Sequence, residues 1–210
     1  MVLKLYGNPI STCTRRVATV CKELDIPYEL ISIDFAKGEH KSPAFLEKQP
    51  FGQVPYIDDD GFVLFESRAI ARYLAAKAGS PLLPTNLKDL ARFEQAASIE
   101  QANFDPFASG IAFEKVFKGF RGLATDDARV AEYATALEGK LDAYEKILSK
   151  QKYLAGDNIS LADLFHLPYG SMLAPVGFNF LEDAAKRPNV ARWWKDISSR
   201  PSWQTVKDRA

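Results

Sequence analysis

The chain is predicted to join an α/β domain, built on a mixed four-stranded sheet, to a second domain that is all helix. Three observations predict this. Strand and helix signals alternate over roughly the first 77 residues, helical periodicity alone runs from about Lys88 onward, and the stretch "SPLLP" marks the change.

The first strand is "VLKLYG", apolar and closed by Gly7-Asn8-Pro9. "TRRVATVCKEL" follows as a helix with Val17, Val20, Cys21 and Leu24 on one face, stopped by Asp25-Ile26-Pro27. "YELISIDF" alternates as a strand, and the polar "AKGEHKSPAFLEKQP" reads as a loop with an irregular helical turn. "VPYI" and "FVLFE" flank Asp58-Asp59-Asp60-Gly61 and make a hairpin. Ser67 starts the helix "RAIARYLAAKAG", which Gly79 closes ahead of Pro81. The resulting order is β-α-β-α-β-β-α. Beyond it lie two long helices, "ARFEQAASIEQANFDPFASGIAFEKVF", expected to kink near Pro106, and "ARVAEYATALEGKLDAYEKIL". "SLADLFHL" opens another, with Ser160 and Asp163 as a capping box and Ile159 placed to form the staple. The expected boundaries are 1–78 for the α/β domain, 79–87 for the linker and 88–210 for the helical domain. Neither an internal repeat nor a low-complexity segment is present.

Composition narrows the function classes. Of 210 residues, 47% are hydrophobic and 26% charged, and the formal net charge is zero, so neither nucleic acid nor an anionic membrane is an expected partner. No apolar run approaches a membrane span, and the N-terminus lacks a basic-then-apolar leader. Cys13 and Cys21 would lie about 12 Å apart along one helix, too far for a disulfide, which points to a reducing, cytoplasmic setting. Two scattered histidines and two cysteines give no metal site; His166, in an apolar helical stretch, reads as a satisfied interior residue. Trp193, Trp194 and Trp203 read as packing residues.

Several fragments suggest a binding site, each with an ordinary structural alternative. Pro55 stands where a strand should donate an N–H, so it is either the first residue of an edge strand or a cis proline that turns the Val54 backbone outward. Glu66 and Ser67 stand at a helix start, where free N–H groups and the helix dipole attract carboxylates; alternatively, Ser67 caps its own helix. His40 and Lys41 in "GEHK" suit a second carboxylate or form a solvated loop. Ser11 and Thr12 sit where the N–H groups of the first helix converge, a position that a capping serine also occupies.

Taken together, "NPISTCTRRV", "GEHKSPAFLEKQPFGQVPYIDDDGFVLFESRAI" and "DNISLADL" resemble the phi-class glutathione transferases over nearly the whole chain. The resemblance implies a thioredoxin-like N-terminal domain, an all-α C-terminal domain, a homodimer and glutathione as co-substrate, with no permanently bound cofactor. It assigns Ser11 to the glutathione sulfur, with Thr12 beside it, and His40 and Lys41 to the glycyl carboxylate. Val54, held by a cis Pro55, would pair with the cysteinyl unit. Gln53, Glu66 and Ser67 would hold the γ-glutamyl end, with Glu66 facing the ammonium and Ser67 the carboxylate.

The chemistry fits a hydroxyl at residue 11. Lowering a thiol pKa of about 8.5 by about two units takes roughly 2.7 kcal/mol. A hydroxyl donating to a charged acceptor supplies about 1.5–3 kcal/mol, and a helix N-terminus about 0.3–1 kcal/mol more. Ser11 is then neither base nor nucleophile; it stabilises the sulfur that attacks. Apolar electrophiles would sit in a pocket walled by Ile10 and Phe35, with Phe113 and Phe117 from the helical domain. The stripe Phe113, Phe117 and Phe120, with Phe104 and Phe107 upstream, is weighted towards core. Glutathione-dependent peroxidase activity is compatible with the same serine. The competing functions are a non-catalytic carrier of apolar ligands and a thiol transferase using Cys13. The latter is disfavoured because two helical positions differ by about 200° of rotation.

Overall fold

In the computed structural model, which describes residues 2–210, strand β1 (Leu3–Gly7) alternates buried and open positions and turns Leu3 and Leu5 inward. It lies inside a four-stranded sheet of order β2-β1-β3-β4, with β2 spanning Tyr28–Ser32, β3 Tyr56–Asp59 and β4 Phe62–Phe65. β1 runs parallel to β2 and antiparallel to β3, and β3 pairs antiparallel with β4 through the expected hairpin. Asp60 and Gly61 both take positive φ at its tip, and the Asp58 side chain accepts from the Gly61 N–H at 2.7 Å.

Helix α1 (Thr12–Glu23) packs against α3 (Ser67–Lys77), and the short α2 (Pro43–Leu46) follows a 3-10 turn at Glu39–Lys41. Val17, Val20 and Cys21 of α1 and Ile70 and Leu74 of α3 are fully buried, as the apolar spacing of both helices requires. Gly7 is obligatory for sheet–helix contact: a Cβ there would lie 2.5 Å from Thr14 Oγ1. Gly79 closes α3 with φ of +61°.

The second unit, Pro84–Ser199, is helical. Asn86 caps α4 (Leu87–Asn103), accepting from the Lys88 and Asp89 amides. The long helix expected to kink near Pro106 breaks there: at Phe104 the backbone leaves the helical region (φ −125°), and the chain restarts as α5 (Asp105–Ala112) with Pro106 in its first turn. Proline is tolerated there because the N–H it lacks would have no helical acceptor. Phe113–Phe117 then widens into a π-helical turn before α6 (Lys118–Phe120).

α7 (Asp127–Leu148) packs against α5 and α10 (Pro188–Ser198), and α8 (Leu161–Leu164) against α4; α9 spans Leu167–Gly170. The Ser160–Asp163 capping box forms as expected. His166 is wholly buried, with Tyr144 Oη 3.0 Å from its Nε2 and the Ala162 carbonyl 2.9 Å from its Nδ1.

The last segment departs from the sequence boundaries. Residues 88–210 were expected to form one domain, but Arg200–Ala210 belongs with the chain up to Leu83. Its helix α11 (Pro201–Val206) lies on α1, burying Trp203, and Glu23 of α1 bonds both Arg200 and Ser202. Helical periodicity identifies such a segment as a helix but not its packing partner. Trp193, Trp194 and Trp203 are all buried.

Candidate active site

The turn between β1 and α1 is built by Asn8. Its side-chain amide donates to the Ile33 carbonyl at 3.0 Å, its Oδ1 accepts from the Ile10 N–H at 3.1 Å, and its own carbonyl accepts from the Ser11 N–H at 3.0 Å. Ser11 is thereby held in extended geometry as the N-cap of α1, accepting from the Thr14 amide at 3.4 Å. The two sequence readings of this serine are compatible. Capping uses an oxygen lone pair, and the hydroxyl proton donates to no acceptor among the described residues. With no acid in the first turn, the dipole of α1 favours an anion here. Thr12 is buried as the first helical residue. Cys13 is half-buried, its sulfur 3.6 Å from Arg16 Nη1, while burial pushes the Cys21 thiol up to about 12.

A second group forms around Gly52. Lys41 Nζ donates to the Phe51 carbonyl at 3.1 Å, and the His40 ring meets the edge of Phe35 at 4.9 Å. His40 Nδ1 is buried without a partner, and burial, then the Lys41 charge, lowers the pKa of its imidazole. Gly52 has φ of +61°, and a Cβ on it would fall 2.9 Å from the His40 carbonyl oxygen and 2.6 Å from Lys41 Nζ. The next residue, Gln53, is exposed and donates its N–H to Gln49 Oε1 at 3.1 Å, Gln49 itself being buried. The Val54–Pro55 bond is cis, with Pro55 buried and β3 starting only at Tyr56. Neither the amide nor the carbonyl of Val54 enters a turn, loop or cap hydrogen bond among the described residues.

A third group stands at the start of α3. Glu66, not Ser67, is the N-cap; it is exposed and takes φ of +70°, a region that a residue with a Cβ seldom occupies. Ser67 therefore does not cap its own helix. It is the first helical residue, buried, and its oxygen accepts from Arg16 Nη1 at 2.9 Å. Arg16 thus ties the starts of α1 and α3 together.

Two serines at helix starts, a basic turn and an open strand edge make a surface suited to a short peptide with several charged ends. The chain as a whole also matches known proteins. Family models described as "Glutathione S-transferase, N-terminal domain" and "Glutathione S-transferase, C-terminal domain" match residues 1–76 and 104–201. The chain is 50% identical over 200 residues to glutathione S-transferase PM239X14 of Arabidopsis thaliana, covering 92% of this chain and 90% of that one.

This chain belongs to the glutathione S-transferase family, in its phi class.

Solved structures agree. Glutathione transferase F7 from Populus trichocarpa superposes with a TM-score of 0.91 at 42% identity, over 98% of this chain and 97% of the other. Glutathione S-transferase I from mais, in complex with an atrazine glutathione conjugate, gives 0.89 at 37%, over 99% and 97%.

In this phi-class transferase the apolar candidates fall in two places. Ile10 and Phe35 are 58% and 43% exposed in the first unit. Phe113 and Phe117 are half-buried within the π-helical turn, and Phe120 is exposed, so the stripe weighted towards core is not core; Phe104 is. π-Helical turns recur at functional sites. Two cavities of the helical unit, of about 320 and 640 Å³, contain none of these residues and have charged walls that include Lys146 and Lys150 in one and Glu138 and Asp183 in the other. Sequence reasoning passed over Arg16 and Gln49. A signal for Arg16 existed: it sits four positions before Val20, on the apolar stripe of α1, where a charge needs a partner.

Proposed function

We propose that the chain conjugates glutathione to apolar electrophiles, with Ser11 donating its hydroxyl proton to the glutathione sulfur and so holding it as the thiolate. One observation carries the reading: the Ser11 hydroxyl caps an acid-free helix start and still has its proton uncommitted. Thr12 stands beside it. Val54 offers its free backbone to the cysteinyl unit of glutathione. Gln53, the exposed Glu66 carboxylate and Ser67 hold the γ-glutamyl end, and His40 and Lys41 the glycyl carboxylate. The electrophile lies against Ile10 and Phe35, exposed apolar side chains of the first unit. Turnover of an activated aryl halide that saturates with glutathione tests the reading; calorimetric binding of an apolar ligand without turnover would favour a carrier.

The working form is read as a cytoplasmic homodimer, which the exposed Phe51 and Phe62 of the first unit support, since a partner surface would cover them. Both cysteines are free thiols, as a reducing compartment keeps them.

Two outcomes test the glycyl end. Gly52→Ala forces a side chain against the His40 carbonyl at a positive φ, a conflict that costs about 1–3 kcal/mol. The KM for glutathione should rise about tenfold with kcat nearly unchanged, as steady-state kinetics would show. An unchanged KM would detach the His40–Lys41 turn from binding. The second concerns pH. Burial lowers the His40 pKa in the free protein, and a bound carboxylate raises it again, so binding takes up a proton. The affinity for S-methylglutathione, whose sulfur cannot titrate, should therefore rise severalfold between about pH 7 and about pH 5. Calorimetry in His40→Asn should find that slope abolished.

A further inference from the structure

Arg16, a cation of helix α1, is 1% exposed. A guanidinium has donors only, and burying one is costly unless those donors are used. Arg16 Nη1 donates to Ser67 Oγ at 2.9 Å and lies 3.6 Å from Cys13 Sγ. This bond fixes what Ser67 can still do. With its oxygen accepting from a cation, the hydroxyl keeps its proton for an acceptor, and none among the described residues takes it. A hydroxyl polarised by a cation is a stronger donor. The same position is the start of an eleven-residue helix whose first turn holds no acid, so N–H groups, dipole and buried cation all favour an anion.

We propose that Arg16 is a positioning residue for glutathione, acting through the Ser67 hydroxyl on the γ-glutamyl carboxylate. The proposal rests on the glutathione reading above. Arg16 does not touch the ligand; it orients the Ser67 proton outward and places positive potential behind it. Arginine suits the task because one nitrogen of its planar guanidinium reaches both Ser67 and Cys13.

The test compares dissociation constants, measured by calorimetry, for glutathione and for γ-aminobutyryl-cysteinyl-glycine, which lacks only the γ-glutamyl carboxylate. In Arg16→Met the affinity for glutathione should fall about tenfold while that for the analogue changes less than about twofold. Arg16→Lys should recover part of the loss. Equal losses for both peptides would overturn the proposal and leave Arg16 with a purely structural role. If Arg16→Met does not fold, Arg16→Lys is read in two backgrounds. It should weaken glutathione binding in the parent chain and add nothing in Ser67→Ala, and an undiminished effect in Ser67→Ala would overturn the link. Failure of the unmodified protein to bind glutathione would instead remove the underlying reading, a result distinct from both.

Discussion

Replacing Ser11 with alanine is expected to lower kcat for conjugation by about 10–100-fold near neutral pH while the KM for glutathione changes less than about twofold. The magnitude follows from the role. The variant loses a hydroxyl bond to an anion, about 1.5–3 kcal/mol, and keeps the peptide contacts made elsewhere. It also loses the cap on α1, since the Thr14 amide then has no side-chain acceptor, at a cost of about 1 kcal/mol of stability. The two losses separate by pH. A stability defect persists at every pH, whereas a thiolate defect closes as the medium itself deprotonates the thiol. The rate deficit should therefore shrink steadily above about pH 8.5. A deficit constant with pH would mean that Ser11 serves only as a cap.

The second large effect lies in the helical unit. Asp163 is fully buried and accepts four bonds: from the Leu154 amide at 3.0 Å and Trp193 Nε1 at 2.9 Å on one oxygen, and from the Ser160 amide at 2.9 Å and Ser160 hydroxyl at 3.0 Å on the other. All four partners are donors, so Asp163→Asn turns one acceptor into an NH2 group that faces two buried N–H or O–H groups. The variant should lose about 3 kcal/mol in urea unfolding of the full chain, because each stranded donor costs about 1–3 kcal/mol. Loss of less than about 0.5 kcal/mol would mean that these donors find other acceptors. The pH dependence has a definite sign. Burial raises the Asp163 carboxyl above its ordinary pKa despite the four donors, so folding takes up a proton between the two values. The stability contributed by this group is full below the ordinary carboxylate range and falls as pH rises through the folded value. Asp163→Asn should lack that slope.

Much of this arrangement is legible in the chain because it depends on local rules. Period-two burial marks β1, the Asp58–Gly61 turn fixes the hairpin, and Ser160 with Asp163 announces a helix start. Ser11, His40, Gln53 and Ser67 are legible as candidates for the same reason: residue type and position at helix starts and turns suffice to propose a role. What sequence does not reveal is set by partners far along the chain. The return of α11 to α1 depends on Glu23 meeting Arg200 and Ser202, nearly the whole chain away. The break at Phe104 falls just before Pro106, where the local signal places it, whereas the burial of the Phe104 ring against Tyr144 and His166 depends on distant partners. Glu66, and not Ser67, occupies the N-cap of α3, without a side-chain cap bond, and the Ser67 hydroxyl is held by Arg16 fifty-one positions earlier.

The central claim is tested most directly by titrating the sulfur of bound glutathione through its ultraviolet thiolate absorbance, in the parent protein and in Ser11→Ala. The bound thiol should ionise about two pH units below the free value of about 8.5, and in Ser11→Ala return most of the way to it. A bound thiol that titrates like the free one, or a lowered value unchanged in Ser11→Ala, would contradict the account.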